Sequence, residues 1–342
     1  MTLKDLFSYA KEKKASDIHL VENRAPIVRI DGKLYKAQKE PLKTTKEQIL
    51  SLLSKRQKEH FLKEKELDFA YSSNETRFRI NIYKERGHLA LSARLINSTI
   101  SSMQDLGMPE VVTEFINKNR GLILVTGPTG CGKSTSLSAM AETINQNQSL
   151  HISTIEDPIE FLFEDKKSFF TQRQVDRDTK SFANALKYVM RQDPNVIMVG
   201  EMRDLETIAA ALTLAETGHL VISTLHTQTS AQTVERIIDV FPPHQQEQVK
   251  MQLSLSLVGV VSQRLLPKVN GGRVANFEVL VNNIAVANSI RENKIAQIQN
   301  IIQTSAGDGM ITADNHLKQL LDKKLISKET FNTHKTVTKP RD

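Results

Sequence analysis

The sequence predicts a two-part α/β protein: a smaller α/β unit over residues 1–97, a linker over 98–102, and a larger α/β domain over 103–342. Three observations carry this reading. The chain has 342 residues, more than one ordinary core organises. From Met103 onward, short apolar runs alternate with helical periodicity, the rhythm of a parallel sheet covered on both faces. Between the run Leu122-Ile123-Leu124-Val125-Thr126 and the helical stretch Ser136 to Ile144 stands Gly127-Pro128-Thr129-Gly130-Cys131-Gly132-Lys133-Ser134-Thr135. That is G-x-x-x-x-G-K-S in the strand–turn–helix context that a phosphate-binding loop requires.

In the first unit, Leu3, Leu6, Phe7 and Ala10 mark the apolar face of a helix. Ile27 to Leu34 predicts two short strands joined by an Asp31-Gly32 turn. Thr44 or Thr45 is placed to cap a helix whose apolar positions include Ile49, Leu52 and Leu53. Arg77 to Tyr83 and Leu89 to Ile96 alternate with period two and pair about Gly87. The polar, small run Asn97-Ser98-Thr99-Ile100-Ser101-Ser102 is the linker candidate.

In the second part, Leu150–Ile155, Val196–Val199 and His219–Ser223 are strand candidates, with helices around Phe182–Met190 and Leu205–Glu216. From Pro242 to the end the pattern is mainly helical, broken by Gly271-Gly272 and a strand at Val274–Leu280.

Composition sets further bounds. The hydrophobic fraction of 39% and charged fraction of 25% are those of an ordinary globular protein. No window approaches 18 uncharged apolar residues, and the start lacks the layout of a secretion signal, so a cytoplasmic protein without a transmembrane segment is expected. The single cysteine, Cys131, excludes an internal disulfide and a multi-cysteine zinc site. It is either a small residue filling a slot where serine would fit, or a thiol of lowered pKa near a helix N-terminus. The net charge of +7 suits an anionic ligand or an acidic membrane-side partner. Dispersed basic residues, five tyrosines and no tryptophan argue against a nucleic-acid partner.

Splitting a phosphoanhydride needs a metal, a positioned water and charge neutralisation at the terminal phosphate. The glycines of the loop let backbone N–H groups converge on phosphate oxygens. Lys133 is placed to reach the β- and γ-phosphates, and Ser134 to ligate magnesium. The apolar strand Val196–Val199 runs into Gly200-Glu201-Met202-Arg203-Asp204, the Walker B arrangement with Glu201 as its acid; the competing reading is acids that start a helix. Thr154-Ile155-Glu156-Asp157-Pro158-Ile159-Glu160 sets three carboxylates beyond another strand, and spacing does not choose among them for orienting water. His226 follows the C-terminal end of its strand, where an α/β sheet builds its site, whereas His219 sits at the other end in a supporting position.

Taken in order, the loop at 127–135, the acidic box at 154–160, the Glu201 segment and the His219/His226 box resemble the secretion ATPase superfamily, RecA-like hexameric motors of type II secretion and type IV pili. Ala15-Ser16-Asp17-Ile18-His19-Leu20 looks like that family's N-terminal signature. Arg236 to Pro242 and Val286 to Lys294 are similar to its pilus-retraction branch, and the resemblance covers nearly the whole chain.

The resemblance implies a RecA-like P-loop ATPase domain preceded by a PAS-like α/β domain, assembled as a homohexameric ring. It implies ATP and Mg2+ as ligands, with Glu160 as general base, Glu201 as Walker B acid, His226 near the γ-phosphate, and Ser134 and Glu201 toward magnesium. Arg79 and Arg94 match the family's arginines that approach the phosphates; read alone, they are a solvated strand face. The implied role is pilus retraction, with hydrolysis moving one domain against the next about the linker. The implied partner is an inner-membrane platform protein at the cytoplasmic face of that membrane.

Three positions depart from the family pattern: Cys131 for serine, Ser289 for leucine and Asp176 for histidine. The rivals are a pilus-extension or type II secretion ATPase, which usually carries a longer N-terminal region and a four-cysteine element, and a RecA-like nucleic-acid translocase. A nucleotide-dependent module that does not hydrolyse fits the set of acids less well, and a small-metabolite kinase would need an acceptor pocket and lid that the sequence does not display.

Overall fold

The computed structural model describes residues 1–30, 32–73, 76–96 and 100–335. Asp31 of the expected hairpin turn and residues 97–99 of the expected linker lie outside the described residues. The chain divides into two compact units: Met1–Thr99 together with Pro158–Leu162, and Ile100–Asp157 together with Phe163–Asp342.

The first unit runs α1 (Leu3–Glu12), β1 (Asp17–Val21), β2 (Ile27–Ile30), β3 (Lys33–Lys36), α2 (Thr45–Ser51), α3 (Lys55–Glu64), β4 (Glu66–Ser73), β5 (Thr76–Glu85) and β6 (His88–Ile96). Thr2 and Asp5 close a capping box at the start of α1, satisfying backbone donors the helix cannot. Its four predicted apolar residues are buried. The six strands form an antiparallel sheet in the order β3-β2-β1-β6-β5-β4.

On β5, Phe78, Ile80 and Ile82 enter the core, where Phe78 stacks on Phe7 at 4.5 Å between ring centroids. The alternate residue Arg79 therefore points to the opposite, exposed face. The expected threonine cap of α2 is absent. Thr44 lies at φ 51° and makes no capping hydrogen bond, while the Thr45 hydroxyl donates to the Leu42 carbonyl instead.

The second unit contains α4 (Val111–Ile116), β7 (Gly121–Thr126), α5 (Lys133–Asn147), β8 (His151–Glu156), β9 (Phe169–Gln174), α6 (Phe182–Val189), β10 (Val196–Val199), α7 (Leu205–Glu216) and β11 (Leu220–Leu225). It continues with α8 (Ser230–Asp239), α9 (Pro243–Ser256), β12 (Leu257–Pro267), β13 (Arg273–Val281), α10 (Ile284–Arg291), α11 (Ile298–Thr304), α12 (Ala313–Asp322) and α13 (Lys328–His334). Among the described residues no helix is long and apolar enough to cross a membrane.

The seven strands of this unit are ordered β13-β12-β7-β11-β10-β8-β9. All pairs are parallel except β12–β13, so the expected parallel sheet carries one antiparallel edge. Both faces are covered, which explains the continuous apolar runs. Leu122 and Leu124 join one core with α6, α7, α8 and α9, whereas Ile123 and Val125 join another with α4 and α5.

The eleven-residue strand β12 corrects the helical expectation after Pro242. Helix α9 ends at Ser256 and β12 begins at Leu257 with no turn residue between them. Gly259 is what lets α4 close on β12. A Cβ there would stand 2.4 Å from the Phe115 ring and 2.6 Å from the Leu280 carbonyl oxygen.

Candidate functional site

Three neighbouring strands deliver the site residues of the second unit. β7 ends at Thr126 and opens into the glycine loop, β11 ends one residue before His226, and β10 ends two residues before Glu201. Because these strands are parallel and adjacent in the sheet, their C-terminal ends converge on one edge.

The loop is shaped by glycine where no other residue fits. Gly127 has φ +145°, and a Cβ on it would stand 2.3 Å from the Gln263 carbonyl oxygen. Gly132 has φ 90°, forms the N-cap of α5, and offers no side chain to satisfy the first-turn N–H groups. An uncapped helix start facing a concave loop is suited to an anion.

Lys133 is buried, and its ammonium donates to the carbonyls of Gly127 at 2.8 Å and Pro128 at 3.2 Å. It also lies 3.4 Å from His226 Nδ1. An ammonium only donates, so Nδ1 is the accepting nitrogen and the proton belongs on Nε2. That nitrogen faces Glu201 Oε2 at 3.3 Å. The other oxygen of Glu201 is paired with Arg203. His226 thus links the loop lysine to the acid after β10, and Thr129 Oγ1 stands 3.5 Å from its Nδ1. Ser134 is exposed in the first turn of α5.

The acids divide by environment. Asp204 accepts from the Thr207 amide at 2.8 Å as the N-cap of α7, so the helix-start reading holds for Asp204. It does not hold for Glu201. Glu156 is buried at the end of β8, and its Oε1 accepts from the Thr154 hydroxyl at 2.7 Å and the Gln172 amide at 3.3 Å. That role is internal bracing. Asp157 is exposed, and Glu160 belongs to the Pro158–Leu162 segment that clusters with the first unit. His219 precedes β11, where its Nδ1 stands 3.2 Å from the Leu214 carbonyl at the end of α7, as a supporting residue should.

Arg79 and Arg94 stand directly opposite each other on β5 and β6, both exposed. Like charges in register are unfavourable unless countered. Asp17 accepts from Arg94 Nε at 2.9 Å, and Asp68 lies 3.9 Å from Arg79. Burial pushes the Asp17 carboxyl up, but hydrogen bonds from Ser16 and Arg94, with the Arg94 charge, outweigh it and hold the group below the usual carboxylate range.

Cys131 is buried, and that burial pushes its thiol pKa up, with the Lys133 charge opposing. The lowered pKa considered from sequence is therefore corrected, and the slot-filling reading fits. Of the other two departures, Ser289 is buried on α10 and Asp176 sits at φ 64°, where its amide donates to the Thr179 carbonyl.

The sequence reading missed the support behind the loop. Gln263 on β12 accepts from the Ser136 hydroxyl and donates to the Cys131 carbonyl, both at 2.7 Å. It also missed Arg264 and Arg273, which with Pro128, Thr129 and Gly130 line a cleft of about 390 Å³ beside the loop. Arg264 donates to Gln228 Oε1 at 2.9 Å. Three polar residues in a row, Ser262, Gln263 and Arg264, follow an apolar run, so no period-two alternation marks a strand there.

Residues 1–297 match the family model described as type II/IV secretion system protein. The chain is 44% identical to the type IV pilus retraction ATPase PilT of Pseudomonas aeruginosa over 332 residues, 96% of each chain. It is 46% identical over 308 residues to a twitching motility protein of Neisseria gonorrhoeae, covering 89% of this chain and 82% of that one. A crystal structure of the pilus retraction motor PilT with bound ADP is similar at TM-score 0.91 and 44% identity, over 97% of this chain and 96% of that one.

Proposed function

The chain belongs to the type II/IV secretion system protein family, and on that premise we propose that it is an ATP hydrolase that powers retraction of a type IV pilus. The observation that carries the chemistry is the contact chain from Lys133 through His226 to Glu201 at the ends of adjacent parallel strands. The likeness to a retraction ATPase over 96% of both chains supports the biological role.

The triphosphate is gripped by the loop amides from Gly130 to Ser134, and Lys133 exchanges its two carbonyl partners for phosphate oxygens. Magnesium, where bound, neutralises phosphate charge. The Ser134 hydroxyl and the Glu201 carboxyl are hard oxygen donors of the kind it takes. His226 holds a proton on Nε2 against Glu201 and keeps Nδ1 toward Lys133, so a change at the terminal phosphate is felt by the Glu201 acid. Glu160 takes the proton of the attacking water. Arg79 and Arg94, from the same or a neighbouring subunit, spread the charge of the transferring phosphoryl group, for which the planar guanidinium is suited.

The working assembly is a homohexamer at the cytoplasmic face of the inner membrane, acting on pilin subunits through a platform protein. The antiparallel sheet of the first unit, with helices packed against it, is consistent with a PAS-like module. The test is deletion in the source organism. Lost twitching with abundant surface pili supports retraction; lost pili would support an extension ATPase. ATPase stimulation by DNA or RNA would favour a translocase.

A further inference from the structure

Behind the two loops of the site runs a buried polar chain that none of the site residues accounts for. Thr126, the last residue of β7, lies 2.8 Å from the Ser262 hydroxyl on β12. Ser262 lies 3.4 Å from the hydroxyl of Ser230, the first residue of α8. The Ser230 amide donates to Glu278 Oε1 on β13 at 2.8 Å. On the other side, Thr126 is 3.4 Å from Thr233, and Thr233 is 2.7 Å from Thr227. Thr126, Ser230 and Thr233 are 0% exposed, Ser262 3% and Glu278 4%.

The two ends matter. Thr126 immediately precedes Gly127, and Thr227 immediately follows His226. The chain therefore ties the phosphate loop to the histidine loop. Glu278 anchors it, and Gln299 on α11 stands 3.4 Å from its second oxygen. Burying a carboxyl group in a fold is costly unless it is hydrogen-bonded, and here the partners are the start of α8 and a helix beyond the site.

We propose that Glu278 is a positioning residue for hydrolysis, which through Ser230, Ser262, Thr126 and Thr233 fixes the separation between the phosphate loop and His226. This rests on the ATPase reading above. The loop amides that grip nucleotide are braced separately by Gln263, so the relay governs turnover rather than affinity.

The test is steady-state ATPase kinetics of the full chain and of Glu278→Gln, Glu278→Leu, Thr233→Val and the Glu278→Leu/Thr233→Val double variant. A misplacement of about 1 Å caused far from the chemistry can cost about a hundredfold in rate, and about half that displacement about tenfold. We expect Glu278→Leu and Thr233→Val each to lower kcat by about tenfold with KM for ATP within about threefold. Glu278→Gln, whose amide oxygen still accepts from Ser230, stays within about threefold of the parent in kcat. The double variant is expected to be no slower than the slower single, because both cut one relay.

Wild-type kcat in either Glu278→Leu or Thr233→Val overturns the proposal, as do fully multiplicative losses in the double or a Glu278→Gln as slow as the leucine variant. If Glu278→Leu does not fold, Thr233→Val and Ser262→Ala decide: unchanged kcat in either overturns it. A parent protein without turnover sinks the ATPase reading and this proposal together, an outcome distinct from all the others.

Discussion

Replacing Gln263 with leucine tests whether strand β12 braces the phosphate loop. The wild-type side chain makes two buried hydrogen bonds of 2.7 Å, one from the Ser136 hydroxyl and one to the Cys131 carbonyl. A neutral buried hydrogen bond contributes about 1 kcal/mol net, and stranding its partner away from water raises the cost to about 1.5 kcal/mol. Two such losses come to about 3 kcal/mol. Carried wholly by the loop, that is about a hundredfold in nucleotide Kd, at about 1.4 kcal/mol per tenfold. Calorimetric titration with Mg-ADP reads the affinity, and urea unfolding reads any part that falls on global stability.

Gln263→Glu is the informative companion. It keeps an acceptor for Ser136 but turns the donor that faces the Cys131 carbonyl into a second acceptor, so it should recover no more than half the loss. A Gln263→Leu protein that bound ADP within about twofold of wild type, with an unchanged urea midpoint, would refute the brace.

Other outcomes follow from the proposed roles of the site residues and from the environment of His316. Lys133→Ala and Glu160→Gln each lower kcat for ATP by at least about a hundredfold, and Glu160→Gln still binds nucleotide; normal turnover in it moves the base elsewhere. Arg94→Ala slows hydrolysis by at least about tenfold and also releases Asp17, whose carboxyl pKa should rise in an NMR titration; an unmoved Asp17 contradicts the pairing. Burial, with the Lys323 charge adding, lowers the His316 pKa from 6.5 to about 4. The folded protein then binds fewer protons than the unfolded one between those values, so stability falls as pH drops through that window, by about 3 kcal/mol at pH 4. His316→Gln, measured by urea unfolding at pH 7 and pH 4.5, should lose most of that dependence.

Much of the fold was legible because the signals are local. Leu3, Leu6, Phe7 and Ala10 recur with helical spacing, and the alternation of Arg77 to Tyr83 fixes which side chains enter the core. The glycine loop is legible for the same reason, since its backbone angles admit few residues other than glycine. Strand β12 was not legible. Its apolar run follows α9 without a glycine, proline or polar turn, and an unpunctuated apolar stretch fits a buried strand or a buried helix equally well. The Thr44 cap failed because capping depends on the angles of one residue, which here fall in the left-handed region.

By itself the sequence determined the residue types of the site and the strands and helices that carry most of them, because periodicity and glycine placement act over a few neighbours. Only the tertiary structure decided which strands lie side by side. The parallel order β12-β7-β11-β10 brings Gln263, Lys133, His226 and Glu201 to one edge of the sheet from positions up to 130 residues apart (Lys133 to Gln263). It also separates a buried Glu156 from a Glu201 paired with His226. Strand order is set by how whole faces pack and by which connections are sterically allowed, and no window of the chain contains that information.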